Sequence, residues 1–291
     1  MTGPWPERRW SIIVVVIIAA IGGALLAITA ATFWMNPGDS FAYWIAGERL
    51  MGGEPVYATG DAAFAPYAYH YTPPLAQVLA PLTLFVPAVV YLTAFRVLLL
   101  LVTWDLAGRR FLPMLALIAF LPVVLELRFE NVNLLMAAAI VYGLGRFPWL
   151  FSVAAIVKIS PGLGIVYLVL RRRWRDALIA ITVGTLMVVV SFVLDPRLWG
   201  DFIAAVRDQP GSTGNSLVPL PYVVRALIGL ALAVAGGMLG RRRGELLLVA
   251  AITIANPNLA LNGFAVLAAA VPIWFAGPDG LAARPRRDAS A

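Results

Sequence analysis

The chain has 291 residues, of which 61% are hydrophobic and 13% are charged, and its mean hydropathy is +0.86. In soluble domains roughly a quarter of all residues are charged. The low charged fraction and the recurring apolar segments therefore predict an all-α polytopic integral membrane protein. The chain contains no cysteine and one histidine, which excludes disulfides, thiolate chemistry and multi-histidine metal sites. Its net charge of +7 comes from short arginine groups between apolar segments, which indicate membrane topology and argue against a nucleic-acid face.

The first apolar run covers residues 11–34 and follows Arg8 and Arg9. It is too long for a signal-peptide core, so we expect a retained membrane helix that crosses from the cytoplasm to the outside. Cleavage near residues 27–30, which resemble a signal-peptidase site, is the alternative.

The polar loop at residues 36–74 follows this helix directly. A membrane chain without a soluble domain must build its active site from such loops and from polar residues at helix ends, so we expect the outer catalytic loop here. We also expect interfacial helices in it, and Asp39 is well placed to cap one of them. The acidic residues of the loop are Asp39, Glu48, Glu54 and Asp61.

The remaining helices follow if the arginine groups all lie in the cytoplasm. They are predicted at residues 87–107, 111–127, 132–145, 176–194 and 222–239. This arrangement puts the loops at 36–74, 128–133 and 195–222 outside and both termini inside. We expect residues 1–276 to form a single transmembrane domain and residues 277–291 to be a disordered cytoplasmic tail.

Residues 147–170 do not fit this alternation of inside and outside loops. The segment is long enough for one crossing, yet arginine flanks both of its ends and so places both ends on the same side. We predict two short helices, near residues 149–157 and 161–170, that meet inside the protein. Pro161 cannot continue a helix, and Lys158 is costly when it faces lipid. A weaker break at 255–259 divides the last apolar stretch, which gives about nine or ten helices in all.

A set of motifs occurs in order along most of the chain. The motif residues are Asp39, Tyr43, Trp44, those at 47–57, 71–82, 130–135, 158–163 and 215–217, and Arg225. Together they resemble the polyprenol-phosphate-mannose-dependent mannosyltransferases of the GT-C superfamily, which are similar to glycosyltransferase family 87. Residues 130–133 stand where that family usually has Gly-Gln-x-Asn, and residues 158–161 resemble its Lys-x-x-Pro motif.

The resemblance implies a GT-C-type helical bundle that transfers a hexose, mannose in particular, from a polyprenyl-phosphate donor. The acceptor would be a glycan or a lipid-linked glycan at the outer face of the plasma membrane. An inverting transfer needs one carboxylate to accept the hydroxyl proton and cations to hold the phosphate. By the resemblance, Asp39 is the base, and Lys158 and Arg225 hold the donor phosphate. The residues expected to bind sugar or acceptor are Tyr43, Trp44, Tyr57, His70, Tyr71, Asn131 and Asn215.

Each of these roles has a structural alternative. Lys158 can instead pair with Glu130 or another acid, and Arg225 can snorkel to the membrane interface. The aromatic residues can form an interfacial belt. Arg128 and Glu130 can pair with each other on the surface. Arg96 lies in the middle of a predicted membrane helix and needs a partner there, but we leave it outside the site.

The resemblance implies no cofactor. The absence of cysteine and the single histidine leave only a site for a hard cation with oxygen ligands, and nothing in the sequence requires such a site. The chain is shorter than is typical of the family, so we expect helices near the C-terminal end to be missing. It also lacks the late Ser-Pro-x-x-Trp-x-His segment of the family, because residues 256–262 contain no histidine. An inactive family member and a non-enzymatic transporter or assembly subunit therefore stay open as alternatives.

Overall fold

A computed structural model describes residues 38–58, 67–208 and 216–276, together with Ala20 and Ala24. The described residues form helices joined by turns, with no β-strand among them, which confirms the all-α class. Several predicted features lie outside the described residues: the first helix at 11–34 apart from Ala20 and Ala24, Asp61, Asn215 and the tail at 277–291.

The helices are short and numerous. The first seven are α1 (Ser40–Gly52), α2 (Pro73–Thr83), α3 (Ala88–Leu106), α4 (Phe111–Ala119), α5 (Leu121–Phe129), α6 (Asn133–Gly145) and α7 (Leu150–Val157). They are followed by α8 (Leu163–Leu170), α9 (Trp174–Leu194), α10 (Pro196–Asp208), α11 (Tyr222–Met238), α12 (Arg241–Ile254) and α13 (Ala270–Phe275). Two 3₁₀ segments, Ser160–Gly162 and Leu261–Ala269, precede α8 and α13.

Two of these helices, α3 and α9, are each long and apolar enough to cross a membrane. Helices α4 and α5 together make a third candidate span, which is bent by 80°. Along α9 large apolar side chains remain exposed, among them Val193 at 72% and Leu194 at 70%. Such a surface is unfavourable in water and suits lipid, so the chain is an integral membrane protein.

The bend between α4 and α5 corrects the single helix predicted over 111–127. Pro122 has no N–H group, so it cannot donate to the carbonyl of residue 118, and Phe120 adopts an extended conformation with ψ of 106°. Helix α5 then continues to Phe129, and Glu130 ends it in the left-handed conformation with φ of 56°. Helices α3, α6, α9 and α11 agree closely with their predicted ranges.

Both predicted breaks are present. Helices α7 and α8 meet at Lys158, whose backbone is extended with φ of −140° and ψ of 126°. Helix α12 ends at Ile254, and the chain is non-helical until the 3₁₀ segment that starts at Leu261. The described residues contain 13 α-helices, more than expected, because α10 occupies part of the predicted loop at 195–222 and the bend divides 111–129.

Close helix contacts bring the polar residues of separate segments together. Helices α11 and α12 approach so closely that a Cβ on Gly244 would lie 2.2 Å from the carbonyl oxygen of Gly236. Helix α1 packs against α2 and α3, and the Leu261–Ala269 segment packs against α5 and α6. As a result, the start of α1, the end of α5, the start of α6 and both breaks converge on one polar region.

Candidate active site

The start of α1 is held against the end of α5. The backbone N–H of Asp39 donates to the carbonyl oxygen of Phe129 at 2.6 Å. Gly38 is needed for this approach, because a Cβ there would lie 2.8 Å both from that oxygen and from Cδ of Glu130. The contact fixes Asp39 beside the residues that follow α5.

Glu130 anchors this junction through a buried ion pair. Its carboxylate pairs with the Nε of Arg96 on α3, and its other oxygen accepts a hydrogen bond from Ser40 Oγ at 2.6 Å. Glu130 is fully buried and pairs with Arg96, which rules out the alternative of a surface pair between Arg128 and Glu130. It also gives Arg96 the partner that a cation inside a membrane helix requires.

The Asp39 carboxylate takes part in a side-chain network. Its Oδ2 accepts a hydrogen bond from Nδ2 of Asn131 at 2.6 Å. Asp39 occupies the N-cap position of α1, but its side chain makes no capping hydrogen bond, so that structural alternative is not realised. The side chain is partly exposed, and its other oxygen has no hydrogen bond among the described residues. It can therefore accept a proton from a bound group.

Lys158 lies on the opposite side of the same amide. Its Nζ donates to Oδ1 of Asn131 and to Oδ1 of Asn133, each at 3.0 Å. Within the described ranges it forms no ion pair, so the alternative of a pair with Glu130 or another acid is not observed, and two neutral amides hold the ammonium. The partly exposed cation thus keeps its charge available for an anion.

A buried carboxylate supports this arrangement from behind. Glu126 on α5 is fully buried and accepts hydrogen bonds from the backbone N–H groups of Asn133 and Leu134 at the start of α6. It also accepts from Nδ2 of Asn133 at 2.8 Å and from Nδ2 of Asn262 at 3.1 Å. A negative charge at a helix N-terminus is favourable, because the unpaired N–H groups there carry partial positive charge.

The structure gives Arg225 a different setting from the predicted one. Arg225 is fully buried, and its guanidinium donates to the carbonyl oxygens of Leu220 at 3.3 Å, Pro257 at 2.8 Å and Asn256. This corrects the snorkelling alternative, since the side chain does not reach a surface. The guanidinium is hydrogen-bonded to backbone carbonyls at the break after α12. Its role in holding phosphate stays a prediction.

The break joins the network through Asn256. Its Nδ2 donates to Oδ1 of Asn133 at 3.1 Å, which is the oxygen that also accepts from Lys158. Asn256 is fully buried, and its own Oδ1 has no partner among the described residues. A continuous chain of contacts therefore connects Arg225 with Asp39.

Two tyrosines adjoin Asn131. The Tyr43 hydroxyl donates to the Tyr71 hydroxyl at 2.9 Å, and the latter lies 3.5 Å from Oδ1 of Asn131. Burial raises the pKa of the Tyr71 hydroxyl above its usual value, so it stays protonated and able to donate. The Tyr57 hydroxyl donates to the Tyr71 backbone at 2.8 Å, which ties residue 57 to the same loop.

The other predicted sugar-binding residues lie in different surroundings. Tyr43 and Trp44 are 1% and 2% exposed, so they are core residues in this structure and present no open ring face to a sugar. Tyr57 is also buried, at 7%, whereas His70 is exposed. Asn215 lies outside the described residues.

Several residues of this region were not predicted as site residues, of which Glu126 and Arg96 are the most informative. Both are ionisable residues inside apolar runs, and such residues mark functional sites by default. That signal was available for Glu126, which stands among the apolar residues of the helix predicted over 111–127. The partner of Arg96 was not available, because it depends on how α3 packs against the residues after α5.

The comparisons point to one family. The sequence model of glycosyltransferase family 87 matches residues 69–284, which is about three quarters of the chain. No curated protein and no solved structure matches the chain. The matched range includes Asn131, Asn133, Lys158, Glu126 and Arg225, whereas Gly38, Asp39, α1 and Tyr57 precede it.

Proposed function

The chain belongs to glycosyltransferase family 87, and we propose that it transfers a hexose, mannose in particular, from a polyprenyl-phosphate donor to a glycan or lipid-linked acceptor. One observation carries this proposal. Asn131 holds the carboxylate of Asp39 on its Nδ2 and the ammonium of Lys158 on its Oδ1. A base and a cation are thus fixed close together but not paired with each other.

These two charges match what a single displacement needs. The acceptor hydroxyl oxygen attacks C1 of the sugar, and the bond from C1 to the phosphate oxygen breaks with its electron pair leaving on the phosphate. Asp39 takes the hydroxyl proton, and Lys158 stabilises the negative charge that develops on the phosphate. One displacement at C1 inverts its configuration, so we propose an inverting reaction.

The direction in which the site faces is inferred from the arginine groups. Arg173 donates to the carbonyl oxygen of Leu144 near the end of α6, and Arg171 donates to that of Leu239 just after α11. Asn133 begins α6 at the site, about 18 Å from the end of that helix at 1.5 Å per residue. Since arginine-rich segments favour the cytoplasm, this separation supports an active site on the outer face of the plasma membrane.

The acceptor and sugar are proposed to contact the open residues around Asp39. Tyr71 and Asn131 are half-buried at the site, and His70 is exposed next to them. The same proposal includes Asn215 and a single domain over residues 1–276, with the loop at 36–74 contributing the base. A transporter or assembly subunit would not need an acid at Asp39, so the role of that residue separates the two functions.

The test is an Asp39→Asn variant in lipid nanodiscs, supplied with synthetic polyprenyl-phosphate-mannose and membrane glycolipid acceptors. Asparagine keeps an oxygen for the hydrogen bond from Asn131 but cannot accept the proton, so transfer should fall by roughly a hundredfold or more. Glu48→Gln, an exposed acid on α1, is the matched control and should transfer normally. The anomeric configuration of the product reports inversion.

Two results would count against the proposal. Near-normal transfer by Asp39→Asn would remove this residue as the base. If the wild-type protein transferred no sugar from polyprenyl-phosphate-mannose, and none from the glucose analogue, the proposed donor class would be wrong.

A further inference from the structure

Asn133 has a fixed orientation because its two ionisable neighbours, Glu126 and Lys158, have opposite hydrogen-bonding character. The two oxygens of Glu126 accept from four N–H groups and donate to none, whereas an ammonium only donates. Glu126 therefore requires the Nδ2 of Asn133, which donates to it at 2.8 Å. The Oδ1 of Asn133 is then turned toward Nζ of Lys158, 3.0 Å away.

Glu126 itself cannot rotate freely. Its carboxylate is fully buried and is held by two backbone N–H groups at the start of α6 and by Asn262 from the 3₁₀ segment after the break. Two segments of the chain, in addition to α5 itself, thus determine where its oxygens lie. This is more fixation than a capping carboxylate needs, because one or two backbone contacts suffice to cap a helix.

From these contacts we propose that Glu126 is a positioning residue for the transfer reaction. It sets the orientation of Asn133, which places the Lys158 ammonium at the donor phosphate without neutralising it. The inference rests on the function proposed above, because it takes Lys158 as the group that meets the phosphate.

The alternative arrangement shows why an intervening amide matters. A carboxylate in direct contact with Lys158 would form an ion pair and reduce its attraction for phosphate. With Asn133 in between, the negative charge stays one side chain away from the site. The amide oxygen still orients the ammonium but carries no net charge.

The primary test is Glu126→Gln. The glutamine oxygen can still accept from the backbone of α6, but its amide nitrogen meets the Nδ2 of Asn133, so Asn133 must turn its own nitrogen toward Lys158. The ammonium is then displaced. We expect the donor KM to rise about tenfold to a hundredfold, as for loss of one charge-assisted hydrogen bond, with the acceptor KM unchanged.

A double-mutant cycle separates positioning from loss of structure. If Glu126 acts through Lys158, then Glu126→Gln should add no further loss of donor kcat/KM in a Lys158→Ala background. A merely structural role would lower activity by the same factor in both backgrounds. Glu48→Gln, the exposed control, should change neither KM.

If Glu126→Gln does not insert, Asn133→Leu decides the matter. It preserves the backbone bonds and the Asn262 bond to Glu126 but removes the amide that leads to Lys158. It should produce the same donor-specific rise in KM. A normal donor KM in either inserted variant, or equal losses in the two backgrounds, would overturn the inference. All of these KM measurements require an active wild-type protein. A wild type that transfers no sugar would contradict the proposed function and would not by itself test the role of Glu126.

Discussion

Removal of Arg96 tests whether the Glu130 ion pair fixes the start of α1. The exposed fractions of the two side chains are 11% for Arg96 and 0% for Glu130. In Arg96→Met the apolar stem is retained, but the buried carboxylate keeps only the hydrogen bond from Ser40 among its observed partners. Removing one member of a buried pair costs about 3–5 kcal/mol, whereas loss of an exposed pair costs about 0–1 kcal/mol.

The measurement is thermal unfolding of the purified protein in detergent. A loss of that size lowers the Tm by roughly ten degrees for a chain of this length. Arg109→Met is the matched control, because Arg109 pairs with Asp105 at the surface and its side chain is 74% exposed. Its Tm should change by no more than a degree or two.

The double variant Arg96→Met with Glu130→Gln completes the test. It removes both charges, so it should be more stable than Arg96→Met alone, and the two changes should be strongly non-additive. If Arg96→Met unfolds at the same temperature as Arg109→Met, the pair contributes no more than a surface contact. The argument for a rigid junction at Asp39 would then fail.

Two further predictions concern Arg225 and topology. Arg225→Met removes the hydrogen bonds to Leu220, Asn256 and Pro257, so the Tm should fall; the donor KM should also rise if Arg225 holds the donor phosphate, and a normal donor KM would refute that role. Trp174→Cys puts the first cysteine into the chain at a residue that is 57% exposed. An impermeant maleimide should label it only after the membrane is opened, and labelling of intact cells would reverse the proposed orientation.

Local signals were sufficient to predict the breaks, and the family resemblance selected three residues that the structure brings together. Pro161 interrupts an apolar run that also contains Lys158, and both facts can be read within four residues of sequence. Asp39 and Asn131 were selected by their motifs, and the structure brings them into contact with each other. Their proximity to Lys158 could not be derived from spacing, since the three residues come from separate segments.

Long-range packing accounts for what the sequence did not predict. Arg128 stands beside Glu130 in the sequence, but Arg96, 34 residues away, is its partner because α3 packs next to the junction. Arg225 lies near the start of α11, where a position at the membrane interface was expected. Near Arg225 the helices approach so closely that a Cβ on Gly229 would lie 2.7 Å from the carbonyl oxygen of Ala251, and the guanidinium becomes enclosed against the break after α12.

The side-chain amides explain how the site holds opposite charges without cancelling them. A carboxylate accepts and an ammonium donates, so direct contact between Asp39 and Lys158 would satisfy both and leave neither for a substrate. Asn131 donates to one and accepts from the other, which satisfies part of each group and keeps them apart. Replacing Asn131 by aspartate would thus keep the acceptor for Lys158 but place a second negative charge beside Asp39. On this reasoning the amide is what keeps the base and the cation available for the substrate.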